Sequence, residues 1–387
     1  MFKFVSKKLL FLFISVIILG LSTATTIGAQ EVYQESEPLN QESAREAETA
    51  SFSAEVIEVL KAQEKIREDG SIFRQQDLKL RGLDGEFKGR EIVYEGISEV
   101  EVSNANYYEV GDQVFVDAYT DEYGQETFYV VEFVRSSSLF WLVAIFIVLV
   151  LLVGRFKGLK ALISLSLSFI IIIKFILPQI LKGQDPFLVS LLGGFFILVL
   201  IIYITEGWGR KSHLAIFSVS LSLLTTLTLA LIFTKAAKLT GLAQEEAIFL
   251  IDLGRATINF QGLLLAGFII GAIGVLDDII VGQIEAVDSL REANPSLPSK
   301  KIFSLAYRIG NTHLGAIINT LFLTYAGAAL PLLLLFVINR EAGLGMARVI
   351  NTEVISTEII RTLVGSVGVM LSMPIATFLA SFSRRKK

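Results

Sequence analysis

The sequence predicts an α-helical polytopic membrane bundle of about seven spans. An N-terminal signal or anchor and a small β-barrel-like extracytoplasmic domain precede it. Three observations carry this reading. Hydrophobic residues make up 53% of the 387, and from Leu139 onward they gather in runs long enough to cross a bilayer. Lys and Arg cluster in alternate loops between those runs, as expected where such loops face the cytoplasm. Before Leu139 the pattern changes to short alternating segments punctuated by turn residues, the signature of strands.

Composition narrows the chemistry. With no cysteine, the chain forms no disulfide, uses no thiolate nucleophile and builds no Cys-type zinc or iron–sulfur site. Its only histidines are His213 and His313, so no His-built metal centre is expected. No P-loop is present, which leaves ATP coupling within this chain unsupported. We therefore expect a non-enzymatic protein with no cofactor, no metal and no nucleic-acid partner. Its main partner is the lipid bilayer.

Taken in order, Lys3, Lys7 and Lys8 precede an apolar core from Leu9 to Leu21, followed by small residues up to Gly28 and Ala29. Residues 1–29 thus read as a signal peptide or a retained signal anchor. Residues 30–50, rich in Glu, Gln and Ser, read as a disordered acidic linker. Residues 51–137 form the β-rich extracytoplasmic domain. Turns are predicted at Asp69-Gly70, Gly82 to Gly85, Gly111-Asp112 and Tyr123-Gly124. The alternation of Val114, Val116 and Ala118, then Phe128 and Val130, predicts a hairpin closing at Asp121 to Gln125. About five short strands suit a small OB-like or SH3-like barrel. Such a domain serves either as a rigid spacer or as a binding module.

Residues 138–387 form the membrane domain, with spans predicted at 139–153, 161–181, 186–205, 214–234, 262–281, 313–338 and 359–381. The loops carrying Arg155, Lys157 and Lys160, then Arg210 and Lys211, then Arg291, Lys300, Lys301 and Arg308, belong on the cytoplasmic side. The tail from Arg384 to Lys387 does too. This topology puts the protein in the cell membrane with the ectodomain outside and the C-terminus in the cytoplasm. Lys235 to Gln261 is too polar to span; it is either a re-entrant segment delivering Asn259 and Gln261 to the fifth span, or an ordinary external loop.

The fifth span carries the most specific signal. Asp277 and Asp278 stand side by side in an apolar run that continues through Ile279, Ile280 and Val281. With entry near Gly262, a rise of about 1.5 Å per residue places the pair roughly 22 Å deep, inside a hydrocarbon core about 30 Å thick. Ionisable groups at such depth are costly and mark ion or proton pathways. Gly267, Gly271, Gly274, Asp278, Gly282 and Glu285 recur at steps of three and four and so share one helix face. We expect that face to be a close-packed seam leading to Asp278, with Asp277 on its flank. Gln283 and Glu285 extend the polar track beyond the pair.

Ile258-Asn259-Phe260-Gln261-Gly262, followed by Gly271-Ala272-Ile273-Gly274-Val275-Leu276-Asp277-Asp278, resembles the YibE/F-like family of bacterial membrane proteins. That resemblance implies a multi-spanning membrane protein. Gly274 to Val281, then Glu285 and Val287, is also similar to the proton-relay helix of resistance–nodulation–division (RND) transporters and to a related helix in SecD and SecF. This second similarity implies that Asp277 and Asp278 handle protons. It also implies a homo-oligomer or a partner membrane subunit, since RND chains hold two membrane repeats and this chain holds one. It leaves the substrate open.

The remaining candidates have two readings each. In the sixth span His313, Thr320 and Thr324 share a face beside Asn311, Gly315 and Asn319; they either line a pathway or bind helices together. Lys174 lies too far from the aspartates to pair with them and is expected to snorkel outward. Glu358 and Arg361 form a local ion pair, and Pro331 and Pro374 are expected to kink their helices. Three functions follow in order: a proton-coupled transporter or export factor, a scaffold or sensor whose ectodomain binds a partner, and an intramembrane aspartyl protease. The protease needs aspartates on two helices, whereas here one helix supplies both.

Overall fold

The computed structural model describes residues 48–66, 72–97, 107–120, 124–254, 257–341 and 346–383. The expected signal segment, nearly all of the acidic linker and the basic tail lie outside the described residues. The chain divides into two compact units that meet at Leu149/Val150.

The first unit is a five-stranded antiparallel sheet. Its strands are β1 (Glu48–Ile66), β2 (Ile72–Gly82), β3 (Glu91–Glu95), β4 (Gln113–Thr120) and β5 (Glu126–Phe133), in the order β3-β2-β1-β4-β5. Alternation decides what is buried: Phe52, Ala54, Val56, Leu78, Leu80, Ile92, Val114, Val116 and Val130 all point to one side. Register shifts after Val56 and Val59 bend the long β1 strand, the usual effect of bulges. The result is a curled half-barrel in place of the predicted closed barrel. Among the described residues β3, with five residues, is hydrogen-bonded only to β2. Side chains bridge the two edges instead: Arg90, just before β3, pairs with Glu126 of β5 at 2.5 Å, and Phe87 packs edge-on against Phe128 of β5 with centroids 5.6 Å apart. The predicted hairpin is present, with Val116 opposite Val130.

The second unit is helical. Its elements, the first of which starts in the other unit, are α1 (Ser136–Ile171), a π-helical turn (Ile172–Ile176), α2 (Leu177–Leu181), α3 (Pro186–Glu206), α4 (Arg210–Ala236), α5 (Glu245–Asp252), α6 (Phe260–Ala293), α7 (Ser299–Ala328), α8 (Leu330–Glu341), α9 (Met346–Ile350) and α10 (Glu353–Phe382). Among the described residues five helices are long and apolar enough to cross a membrane: Ser136–Leu181, Pro186–Glu206, Arg210–Ala236, Phe260–Ala293 and Glu353–Phe382.

Five helices meet this criterion against seven predicted spans, for two reasons. The first two predicted spans fall within one 46-residue helical stretch, broken only at Arg155, where φ is 49° and ψ −126°. The sixth is divided between α7 and α8 at Ala329, just before Pro331, which cannot donate a backbone hydrogen bond to the preceding turn. Its Asn, Thr and His residues also dilute its apolar character. Pro374, by contrast, sits inside α10 without ending it.

α4 and α10 form the most extensive helix pair, and small side chains are the reason. Ser218, Ser222, Thr226 and Ala230 on α4, with Gly368, Ser372, Ala376 and Ala380 on α10, are buried. Small residues let backbones approach, and a Cβ on Gly368 would lie 2.1 Å from Thr226 Oγ1. The buried hydroxyls stay satisfied by donating back into their own helix: Ser218 to Leu214 O at 2.7 Å, Ser222 to Ser218 O at 2.9 Å. Around this pair pack Ile269, Ile273, Leu276, Ile280 and Ile284 of α6.

Candidate functional site

α6 places the acid pair. Asn259 caps its start by accepting from Gly262 N at 2.9 Å, which satisfies one of the free amides of the first turn. Asn259 Nδ2 also donates to Asp185 Oδ2 at 3.2 Å, and Asp185 caps α3 through Leu188 N. Gln261 Nε2 donates to Leu239 O at 2.6 Å. Both predicted pathway residues therefore hold helix starts and a loop in place. The segment between α4 and α6 contains α5, whose Ala247 is buried against Ile176, Ile180 and Val189. Glu353 anchors the same loop by accepting from Thr240 N at 2.6 Å and Gly241 N at 2.9 Å.

The helix runs on to Ala293, so Asp277 and Asp278 lie in its interior and not at an end. Their orientation differs from expectation. Asp277 is half-buried, and its Oδ1 is enclosed with no hydrogen-bond partner. Asp278 is exposed. The covered face of α6 is set by Ile273, Leu276, Ile280 and Ile284, and Asp277 borders it. Periodicity identified the glycine face correctly but assigned it to the inside. The carboxylates of Asp278 and Glu206, at the end of α3, are the charges that act on Asp277. Among the described residues no cation or hydrogen-bond donor pairs with either aspartate.

The expected seam along Gly267, Gly271 and Gly274 is not packed against other described residues. All three are exposed, and a Cβ on Gly267 or Gly274 would meet nothing within 4 Å, while one on Gly271 would meet only Tyr325 Oη at 3.4 Å. Close approach to α6 occurs elsewhere. A Cβ on Gly194 would strike Ile273 at 2.5 Å, and one on Gly310 would strike the Gln283 amide at 2.4 Å. Gln283 is buried, and its Oε1 accepts from Thr377 Oγ1 at 2.9 Å.

Glu285 is exposed and pairs with Lys211 at 2.8 Å; Lys211 and Arg210 also approach Asp288, at 3.7 and 3.8 Å. These pairs tie α4 to α6. Arg210 and Arg291 then donate to Ser383 O at 3.0 and 3.3 Å, covering free carbonyls at the end of α10. On α7, His313, Asn319, Thr320 and Thr324 are exposed, as are Asn311 and Gly315. Thr320 and Thr324 donate to Ala316 O and Thr320 O at 2.9 and 2.7 Å, so among the described residues they do not join helices. Lys174 is exposed in the π-helical turn.

Three residues of the site escaped the sequence reading. Glu206 carried a signal, being an acid at the end of an apolar span. Tyr325 and Thr226 carried none, because their importance depends on which helices meet.

Among known proteins, a family model described as YibE/F-like protein matches residues 142–386. No curated protein and no solved structure matches the chain, so the similarity of the α6 motif to RND and SecDF helices rests on that short stretch alone. The matched region takes in α3 to α10, the acid pair and every residue that surrounds it: the chain belongs to the YibE/F-like family.

Proposed function

We propose that this YibE/F-like protein is a proton-coupled transporter or export factor in which Asp277 and Asp278 take up and release the coupling proton. One observation carries this reading: two adjacent carboxylates in the interior of an apolar helix, one with an enclosed oxygen, have no cation or donor among the described residues. Acids so placed in membrane helices mark proton or ion pathways. A merely structural acid would have a partner, as Asp288 and Glu285 do at the end of the same helix.

In the proposed topology the helical stretch Ser136–Leu181 crosses twice, turning at Arg155. α7 with α8 supplies a further crossing lined by polar residues. The alternating Lys and Arg loops support an outer ectodomain, a cytoplasmic C-terminus and a cell-membrane location. Exposed Gly267, Gly271, Gly274 and Asp278 support a second copy or a partner subunit on this face, because a carboxylate has no ligand among lipid tails.

The test is gradient-driven proton flux in proteoliposomes, comparing wild type with Asp277→Asn, Asp278→Asn and the double variant. Flux that is lost in the double variant sustains the reading. A wild-type protein without flux, or a double variant that retains it, overturns it. One observation favours a scaffold or sensor instead: Phe115, Tyr119, Tyr129 and Val131 are exposed on adjoining strands, a surface suited to a protein partner. On that reading the double Asn variant keeps its cellular function.

A further inference from the structure

An acceptor and a donor remain open on the outer side of α6 and α7. Asp278 is exposed and, among the described residues, has neither a cation nor a donor. His313 of α7 is exposed too, and makes no hydrogen bond or ion pair among the described residues. Their polar neighbours are better served. Thr312, Thr320 and Thr324 donate to carbonyls of their own helix at 3.1, 2.9 and 2.7 Å. A carboxylate and an imidazole have no such relief among lipid tails, where an unpaired polar group is costly.

The packing of α6 against α7 fixes the relative depth of the two groups. The Gln283 amide fills the space beside Gly310, and Tyr325 Oη approaches Gly271, so the helices run antiparallel side by side. Asp278 lies five positions before Gln283, and Gly315 five after Gly310, which sets the acid level with Gly315. His313 is two positions from Gly315, about 3 Å along the axis by the helical rise. It is also one turn beyond Gly310, and therefore on the side of α7 turned to α6. A Cβ on Gly315 would meet nothing within 4 Å, nor would one on Gly274 or Gly282. The surroundings of both polar groups are thus free of bulk.

We propose that two copies of this chain pair across this face, the Asp278 carboxylate of each accepting a hydrogen bond from the His313 imidazole of the other. A two-fold axis along the membrane normal keeps every residue at its own depth, so only groups of nearly equal depth meet across it. Asp278 and His313 satisfy that condition, and an isologous interface makes the contact twice. A surface with one acceptor lacking a donor and one donor lacking an acceptor is complementary to itself. A different protein would have to supply both. The exposed glycines let the helix backbones come close enough for such short side chains to touch. Pairing of this kind fills the exposed face of α6 with a second copy and is independent of proton coupling.

The cysteine-free chain allows a direct test on the full-length protein. Chains carrying Asp278→Cys and His313→Cys, with different affinity tags, are co-expressed and oxidised in membranes. Mixed-tag disulfide dimers are expected, since one native Asp278–His313 contact survives in each such pair. Phe322→Cys, 55% exposed on α7 but about two helical turns from the level of the acid, should give none with Asp278→Cys. In reconstituted vesicles, single-molecule photobleaching should show dimers of the wild type. His313→Ala should weaken dimerisation about ten-fold, because two hydrogen bonds between membrane helices are lost. Exchanging the pair, Asp278→His together with His313→Asp, should restore it.

A wild-type protein that stays monomeric overturns the pairing, as does a dimer that His313→Ala leaves unchanged. Cross-links through Phe322→Cys in place of His313→Cys mean that the copies meet by another face, and overturn it as well. Neither readout uses proton flux, so the pairing and the coupling reading fail independently.

Discussion

Gln283 of α6 and Thr377 of α10 are joined by a buried hydrogen bond of 2.9 Å, Oγ1 to Oε1. The Thr377 proton is shared with Met373 O at 2.7 Å. The same glutamine amide fills the space that a side chain at position 310 would need, so three helices converge on one polar group below the acid pair. Thr377→Val should cost about 1–3 kcal/mol by leaving the amide oxygen unsatisfied. Gly310→Ala should cost a similar amount, about 1–3 kcal/mol, by overpacking. Thermal unfolding in detergent reads both, and unchanged midpoints would place these helices apart.

The two glycine faces should respond in opposite ways. Gly368→Leu forces α10 away from Thr226 and should destabilise the bundle by at least about 1–3 kcal/mol. Gly274→Leu meets open space and should leave unfolding of the single chain unchanged while weakening any association through that face. Chemical cross-linking of the two variants in membranes separates the effects. A destabilised, unassociated Gly274→Leu protein would contradict the exposed assignment.

Topology is tested by cysteines placed where they can react. Ser212 is buried and bonded to Gly207 O, so the probe belongs at Trp208, which is 81% exposed. Trp208→Cys should be labelled only from the cytoplasm and Gly124→Cys only from outside. Labelling of both from the same side would rule out the proposed arrangement.

Residues 48–134, expressed alone, should be β-rich and unfold cooperatively. Leu78 is fully buried, so Leu78→Ala should cost about 2–5 kcal/mol. A weaker, pH-dependent contribution comes from Lys79 and Glu91, paired at 2.7 Å. The hydrogen bond, then the charge, holds the Glu91 carboxyl below its usual value and the Lys79 amine above its own. A lowered carboxyl stabilises the fold above its unfolded value, about 4.3, and loses that effect as pH falls through the folded one. A raised amine stabilises the fold below about 10.4 and loses its effect as pH rises through the folded value. Glu91→Gln should therefore be slightly less stable than wild type at neutral pH and converge with it in acid. A gap between the two that is constant across pH would refute the pairing.

The two aspartates should not be equivalent. Asp277, with an enclosed oxygen, should be the more sensitive position, and Asp277→Asn should reduce proton flux about 100-fold, the lower end for loss of an acid–base group. Asp278→Asn should be milder in the isolated chain and severe only where a partner covers its face. Both variants should fold, since neither breaks an ion pair among the described residues. Equal and complete loss in both would show that the pair acts as one unit.

Much of this protein is legible from its residues in order. Alternation at Val114, Val116, Phe128 and Val130 determines the β4–β5 hairpin, because a period of two exposes every second side chain to the core. Apolar length determines which helices can enter a bilayer, and the unbroken run past Asp278 determines that the acids lie inside a helix. The face of α6 that turns inward was decided only in three dimensions. A period of 3.6 groups Gly267, Gly271, Gly274 and Asp278 without stating whether that group is covered, and glycine suits close packing and open exposure alike. The choice fell to the fit between Thr226 and Gly368, about 140 positions apart in the chain, and to the large residues Ile273, Leu276 and Ile280 that fill the space beside them. Shape complementarity between distant segments leaves no mark on either segment read alone. For the same reason Tyr325 could be placed beside Gly271 only once the helices had met.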